Sequence, residues 1–465
     1  MNQSAVSTDP ENSPEKTRLS GWGNFPRVDC PIFFQRRIEQ MQELVQSGHS
    51  GLIARGLGRS YGDSAVSRGG VLLQTTRNRF LAFDAESGRV TCESGVTLED
   101  IIHVAIPKGW FLPTTPGTKF VTVGGAIAAD VHGKNHHRDG AWGEYLQRFS
   151  LLLADGSVIQ CSPQVNQDVF WATVGGMGLT GIILEATIQL VQVPSAYVDV
   201  KQRRSRNLDE AFDLFIETDE KYKYSVAWID CLSQGQKLGR SVLLLGNDAP
   251  ADMLRASGKH EPLFWPCKRS KSIPFAFPGL AMNKLAIKAF NGLYYHSHGN
   301  KNTFVDFDSY FYPLDSIHHW NRIYGKRGFV QYQALFPREC SREAMTTLLK
   351  MISKSGQASF LAVLKSSGVA NQGILSYLFD GHTLALDFPY RGEKTDRLCR
   401  ELDKVLLDFG GRVYLAKDAL VNAETFSRMY PKLNEFKRIK QRLDPQSIFR
   451  SQQSDRVGIT DVSSF

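Results

Sequence analysis

The sequence predicts an α+β fold in two domains, and three observations carry that reading. The chain has 465 residues, long for one domain and suited to two or three. Strand-like runs follow one another without regularly alternating helices, and Asp155-Gly156 sits between two of them as a hairpin signal. Near Pro194 the texture changes, with fewer glycine clusters and more aromatic residues. The expected plan is a disordered polar tail over 1–20 and a first domain over 21–194. A second domain with a mainly antiparallel sheet follows over 195–410, and 411–465 returns to the first domain's ligand site.

Each element has a local reason. Ile38, Met41, Leu44 and Val45 keep helical spacing, and Gly48 ends the run. Leu52–Arg55, Val71–Gln74, Phe80–Asp84 and Arg89–Glu93 read as strands. Thr97 with Asp100 three residues on caps a helix that Pro107 stops. Leu151–Ala154 and Val158–Cys161 flank the Asp-Gly turn. Phe170–Leu190 reads as strand, glycine turn and strand. In the second domain, strands are expected at Tyr224–Asp230, Phe329–Leu335 and Thr383–Phe388, and helices at Arg342–Ser353 and Thr395–Phe409. Gly411–Arg450 reads as a compact cluster and Arg456–Phe465 as a frayed end.

Composition narrows the function. Hydrophobic content of 42% with 22% charged residues is ordinary for a globular protein. The net charge of +8 is spread along the chain, which speaks against nucleic acid and is compatible with an anionic substrate or membrane surface. Seven scattered cysteines without a Cys-x-x-Cys pair argue against a disulfide framework and for a reducing compartment. The first 20 residues lack a signal-peptide core, and no apolar run approaches spanning length. The expected location is cytoplasmic, with peripheral contact at the inner face of a membrane left open.

Pro116 to His137 is the most informative stretch. It joins a Pro-Gly turn, a β-branched run, paired glycines, small residues and three histidines. Small residues stand where backbone comes close to something large, here read as a flavin dinucleotide. Gly56-Leu57-Gly58-Arg59-Ser60-Tyr61-Gly62-Asp63 follows a strand, and its amides suit phosphate oxygens; a plain glycine turn is the alternative. Gly176-Met177-Gly178-Leu179-Thr180-Gly181 matches G-x-G-x-x-G, but a strand-like run follows it. A Rossmann site needs a helix there, so a nicotinamide dinucleotide is rejected. His132 and His136 have i, i+4 spacing, yet Gly133 and Asn135 weaken a helix and no carboxylate completes a metal site. No metal is expected.

Residues 260–300 interleave Phe264, Trp265, Phe275, Phe277, Tyr294 and Tyr295 with Lys268, Arg269, Lys271, Lys284 and Lys288. This reads as a mobile loop, either plain or touching lipid. Gln331 and Gln333 share one face of a strand by alternation. Lys365 also falls in a strand-like segment, and Lys417 ends a short apolar strand, where it either emerges into solvent or serves the site.

Taken together, GLGRSYGD, PGT, VTVGGAIAADVHGKNHH, LLLADG and FWATVGGMGLTGI resemble the FAD domain of the vanillyl-alcohol-oxidase type FAD-linked oxidoreductases. SVAWID, FYPLD, WNRIYG, VQYQ, LDFPY and YLAKDALVNAETFSRMYP extend the resemblance, over roughly residues 20 to 450, to the family that oxidises polyprenyl-phosphate-linked pentoses. The resemblance implies a two-subdomain FAD-binding domain. Ala54, Arg55, Gly56, Leu57, Gly58, Arg59, Ser60, Tyr61, Gly62, Asp63 and Ser64 would wrap the pyrophosphate. Gly117, Thr122, Val123, Gly124, Gly125, Ala129, Asp130, Val131 and His132 would line the cofactor, with Ile183 and Tyr414 touching it. Many relatives bind FAD covalently through a histidine in the first glycine turn; Arg59 takes that place, so non-covalent FAD is expected. Some relatives carry a cysteine where this chain has Ala385, and no chemistry expected here needs that thiol.

The implied reaction is oxidation of the sugar C2 hydroxyl of a decaprenylphosphoryl-ribose-like substrate to the 2-keto form. A partner short-chain reductase then completes an epimerisation. Lys417 is the expected cation beside the reduced cofactor. His132, Lys417 and Tyr61 are the candidate proton acceptors, His132 having the suitable unperturbed pKa. Trp228, Gln331, Gln333, Lys365 and Lys417 are expected to hold the substrate. An oxidase of a soluble sugar or aldonolactone, a flavin-binding module without turnover, and a nicotinamide dehydrogenase remain as alternatives.

Overall fold

Backbone pairing in the first domain builds two larger sheets and a two-stranded one, Trp110–Phe111 with Val191–Gln192. The structure, a computed structural model, describes residues 16–265, 270–277, 284–357, 359 and 361–460. A four-stranded sheet has the order Lys16–Ser20, Arg27–Phe33, Gly70–Leu73, Leu52–Arg55, and its last three strands run parallel. A five-stranded antiparallel sheet follows in the order Phe80–Asp84, Arg89–Glu93, Ile182–Gln189, Leu146–Leu152, Val158–Cys161. The hairpin at Asp155-Gly156 forms as expected, with Gly156 at φ +83°, a conformation that glycine adopts without strain. The Thr97 cap also forms: Thr97 Oγ1 accepts from the Asp100 amide at 3.1 Å.

The second domain is an eight-stranded antiparallel sheet. Its order is Lys301–Asp306, Tyr197–Ser205, Ser241–Asp248, Tyr224–Ile229, Ala362–Ser367, Gly381–Pro389, Phe329–Pro337, Arg412–Val413. The helices Leu208–Thr218, Ser341–Ser355 and Glu393–Asp408 pack on one face. The other face is turned toward the first domain and forms a wall of the cavity described below. The final strand, Arg412–Val413, lies at the sheet edge beside Phe329–Pro337, and the chain leaves it for the first domain.

Several expectations are corrected. Lys16–Ser20 is not tail but an edge strand paired with Arg27–Phe33; backbone bonding holds it while its polar side chains stay in water. The segment starting at Phe170 is a helix, Gln167–Thr173, rather than a strand. Its residues from Val169 to Thr173 are all buried, so no amphipathic period marks it in the sequence. Val123–Ala128 is a short helix capped by Thr122. Lys284–Ser297 is a helix inside the stretch expected to be a mobile loop. Lys268, Arg269, Pro266 and Pro278 lie outside the described residues. The expected frayed end begins with ordered structure: Gln452–Arg456 is a helix, and Val457 and Thr460 are buried.

Candidate active site

The first glycine turn is held open by its own side chains. Arg55 donates to Ser20 O at 2.8 Å and to Ala65 O at 3.0 Å, closing the loop from outside. Gly58 has φ +64°, and a Cβ there would fall 2.2 Å from the Arg55 guanidinium. Among the described residues the amides of Gly56, Leu57, Gly58, Arg59 and Ser60 donate to no protein acceptor. The next amide, Tyr61, donates to Ala416 O at 2.9 Å. Five consecutive free donors on a strand-to-turn junction suit a polyphosphate. Gly56 packs against the Thr122 cap, and Gly117 has nothing within 4 Å of its would-be Cβ, so backbone lies flat against open space.

That space is a cavity of about 650 Å³ between the first domain and the open face of the large sheet, within the range of ligand sites. Ala54 to Tyr61, Ser64, Gly117, Thr122, Gly124, Gly125, Ala129, Val131, His132, Ile183 and Tyr414 all line it, as do Trp228, Gln331, Gln333, Lys365 and Lys417. Free amides, small residues and a long apolar cleft fit FAD. Four predicted residues do not face it. A Cβ on Gly62 would meet Asp418 O at 2.0 Å, so that glycine serves a backbone contact. Asp63 is turned to Arg456, whose guanidinium donates to both its oxygens at 2.6 and 3.1 Å. Val123 is fully buried core. The Asp130 carboxylate accepts from the Gly143 amide, Asn371 and Ser376, pinning the 371–376 segment instead.

The substrate side is built by register. Trp228 pairs with Val363, Val363 with Ala385, and Ala385 with Gln333, so these four form one row across adjacent strands on the cavity face. The flanking pair is Gln331 and Asp387. Asp387 is the charged residue behind this wall that sequence reasoning missed. It has no exposed surface, and its carboxylate accepts from Gln331 Nε2 at 2.5 Å and Tyr324 OH at 3.2 Å. Alternation from Ala385 would have put it on the same face, but only the pairing sets it opposite Gln331. A carboxylate only accepts, so Gln331 turns its NH₂ toward Asp387, and Tyr61 hydrogen-bonds the same Gln331 side chain from the cavity side.

Three lysines, Lys134, Lys365 and Lys417, share this end of the cavity. Burial lowers Lys365 to about 8. Lys134 falls to about 7 through burial and the like charge of Lys365. Lys417 falls to about 7 by burial, with Asp387 pushing it up and Lys365 pushing it down. Asp387 rises to about 7 by burial, against the Gln331 hydrogen bond and the Lys417 charge. Lys134 donates to Phe311 O at 3.0 Å; among the described residues neither it nor Lys365 meets a carboxylate at ion-pair distance.

Two further proton-acceptor candidates are shifted by their surroundings. Burial first, then Lys365, His136 and Lys417, hold His132 well below the usual histidine range. Its Nε2 lies 3.1 Å from Gln333 Nε2. Burial and the Asp387 charge hold the Tyr61 phenol well above its usual range, so it does not ionise near neutrality. His136 accepts from the Gly368 amide at 3.0 Å, and His137 Nε2 meets Tyr222 O at 3.1 Å; the three histidines have separate partners. Arg59 stacks over the Trp22 ring at 4.1 Å on the cavity wall. Among the described residues no helix is long and apolar enough to cross a membrane.

Comparison with known proteins agrees with this geometry. Residues 34–162 match an FAD binding domain model, and residues 326–457 match a D-arabinono-1,4-lactone oxidase model. The chain is 38% identical to the decaprenylphosphoryl-β-D-ribose oxidase of Mycolicibacterium smegmatis, over 95% of this chain and 97% of that protein. It is 24% identical to the L-gulonolactone oxidase of Bos taurus over 92% and 95% of the two chains. An uncharacterized Streptomyces coelicolor protein is 32% identical over 78% of this chain and all of its own. The cradle and these likenesses together make the chain an FAD-dependent oxidoreductase that belongs to the decaprenylphosphoryl-β-D-ribose oxidase family.

Proposed function

We propose that the chain oxidises the C2 hydroxyl of a polyprenyl-phosphate-linked pentose, decaprenylphosphoryl-β-D-ribose or a close analogue, to the 2-keto sugar. The observation that carries this reading is the pair of half-buried lysines, Lys134 and Lys365, that share a cavity with the glycine cradle and have no carboxylate partner among the described residues. Unpaired cations partly withdrawn from water are costly, and a phosphate oxyanion relieves both. The M. smegmatis relative bears the name of such a substrate.

Oxidation removes a hydride from carbon and a proton from oxygen. Bound FAD, held without a covalent link because Arg59 is not a nucleophile, supplies the hydride acceptor. Lys417 takes the proton: near neutrality a substantial share of it is the free amine. The ammonium so formed then offsets negative charge developing beside it. The Gln331 carbonyl oxygen, aimed by Asp387, accepts from a sugar hydroxyl, and Gln333 and Trp228 complete the sugar's wall. Lys134 and Lys365 hold the phosphate.

The keto product still needs a hydride delivered from the opposite face to complete an epimerisation. An NAD(P)H-dependent short-chain reductase is the reaction class that consumes it. Peripheral membrane contact suits the lipid tail. It is supported by exposed Phe264, Phe275 and Leu293, with Lys271 and Lys288 also exposed. The lactone oxidase match favours a second reading, oxidation of a soluble aldonolactone. One experiment separates them: anaerobic bleaching of the yellow holoenzyme by polyprenyl-phosphate pentoses, free pentoses and aldonolactones. Bleaching by the lipid-linked sugar supports the proposal; bleaching by lactones alone replaces it with the second reading. A yellow protein that none of them bleaches is a flavin-binding module.

A further inference from the structure

The geometry points to Arg456 as a positioning residue for the reaction, clamping the first glycine turn to the loop that carries Lys417. Its guanidinium donates to the two Asp63 oxygens at 2.6 and 3.1 Å, and it forms an ion pair with Asp418 Oδ2 at 2.9 Å. It also donates to Val421 O at 2.5 Å. Asp63 follows the cofactor turn directly, and Asp418 follows Lys417. One planar fork therefore bridges the two segments whose ends meet at the chemistry.

Neighbouring contacts give the clamp one setting. Gln453, on the same short helix, donates to Leu415 O at 2.8 Å, and its amide donates to Asp63 O at 3.3 Å. Asp418 Oδ1 accepts from the Leu420 and Val421 amides at 2.9 Å each, folding the loop back on itself. Tyr61 N donates to Ala416 O, and Gly62 leaves no room for a Cβ against Asp418 O. The loop is thus tied on both sides of Lys417, and the side chain is set over Tyr61. Without Arg456, two carboxylates, each less than a tenth exposed, lose their shared cation and repel each other.

Lys417 is faced by Tyr61 from the turn, Asp387 from the sheet, Lys365 from the neighbouring strand and His132 from the segment after the Val123–Ala128 helix. A loosened loop lets its ammonium leave these desolvated surroundings. The inference rests on the role given to Lys417 above, and the test separates the two. Full-chain holoenzymes carrying R456Q, R456K, D418N, K417M and R342Q are compared for flavin content, thermal midpoint, turnover and the pH midpoint of the flavin absorbance. Arg342 is a cation shared by two carboxylates, Asp209 at 3.3 Å and Asp213 at 2.5 Å, between two helices on the face of the large sheet turned away from the cavity. R456Q and D418N are expected to keep flavin, lose turnover by about ten- to a hundredfold, and move the pH midpoint upward. R456K recovers part of both. R342Q lowers the thermal midpoint slightly while leaving turnover per flavin and the pH midpoint at wild-type values. D418N keeps the acceptor for the Leu420 and Val421 amides, so it decides the matter if R456Q does not fold. Wild-type turnover and pH midpoint in folded R456Q or D418N, or equal shifts in R342Q, overturn the clamp. A pH midpoint and turnover that survive K417M overturn the reading of Lys417 instead.

Discussion

Lys417 Nζ stands 3.7 Å from the centre of the Tyr61 ring. A cation from the C-terminal segment and a phenol from the first glycine turn therefore meet as one unit. The ring face attracts an ammonium while its bulk keeps water away, so both forms of the lysine have a place there. The alternation between amine and ammonium proposed for Lys417 needs that balance.

Replacing Lys417 with methionine keeps the stem and removes the proton acceptor. Turnover is expected to fall by about a hundredfold or more, with flavin content unchanged because the cradle amides lie elsewhere. Rapid anaerobic reduction in this variant, followed by stopped-flow absorbance, would refute the assignment.

The pH dependence has a definite sign. With Lys417 in the proposed role of amine, kcat/KM is expected to rise with pH along a limb centred near its value of about 7. The Asp387 charge raises that value. In D387N the charge is gone, the ammonium is less favoured, and the limb moves to lower pH. This is opposite to the shift expected for R456Q. A D387N profile superposed on wild type, or displaced upward, contradicts the coupling.

Lys134 and Lys365 are assigned to the phosphate, so their effect belongs in KM. K134Q and K365Q are each expected to raise KM for the phosphate-bearing substrate about tenfold, the scale of one charge-assisted hydrogen bond. Any bleaching by free pentose should be unaffected. Equal losses on both substrates would show that the lysines act on the sugar or on the fold.

Gly117 tests the cradle without straining it. A side chain there meets no protein atom within 4 Å and projects into the cavity. G117V is therefore expected to fold with a wild-type thermal midpoint in its flavin-free form and to be purified with little flavin. In the wild type, acid precipitation should release all the flavin into the supernatant, since Arg59 forms no covalent link. Flavin remaining with the precipitate would refute non-covalent binding.

Much of the site was legible because its requirements are local. A turn that offers free amides needs Gly56 and Gly58 whatever surrounds it, and alternation alone put Gln331 and Gln333 on one face. Capping at Thr97 and the Asp155-Gly156 hairpin were likewise written in short stretches. The helix Gln167–Thr173 was not legible, because burial on all sides erases the amphipathic period. Lys16–Ser20 was not legible either, because an edge strand owes its order to its partner's backbone and not to its own side chains.

By itself, the sequence determined the two-domain α+β plan, the glycine cradle and the residue types available for chemistry, because propensity, turn geometry and periodicity act over a few residues. Tertiary structure alone decided the surroundings in which those residues sit. Burial lowers His132, raises Tyr61 and brings Lys417 to about 7. Strand order set Asp387 behind Gln331, and chain return turned Arg456 from an expected loose end into a bridge between Asp63 and Asp418. Desolvation and ion pairing depend on groups that are hundreds of residues apart in the chain, and they exist only once the fold has brought those groups together.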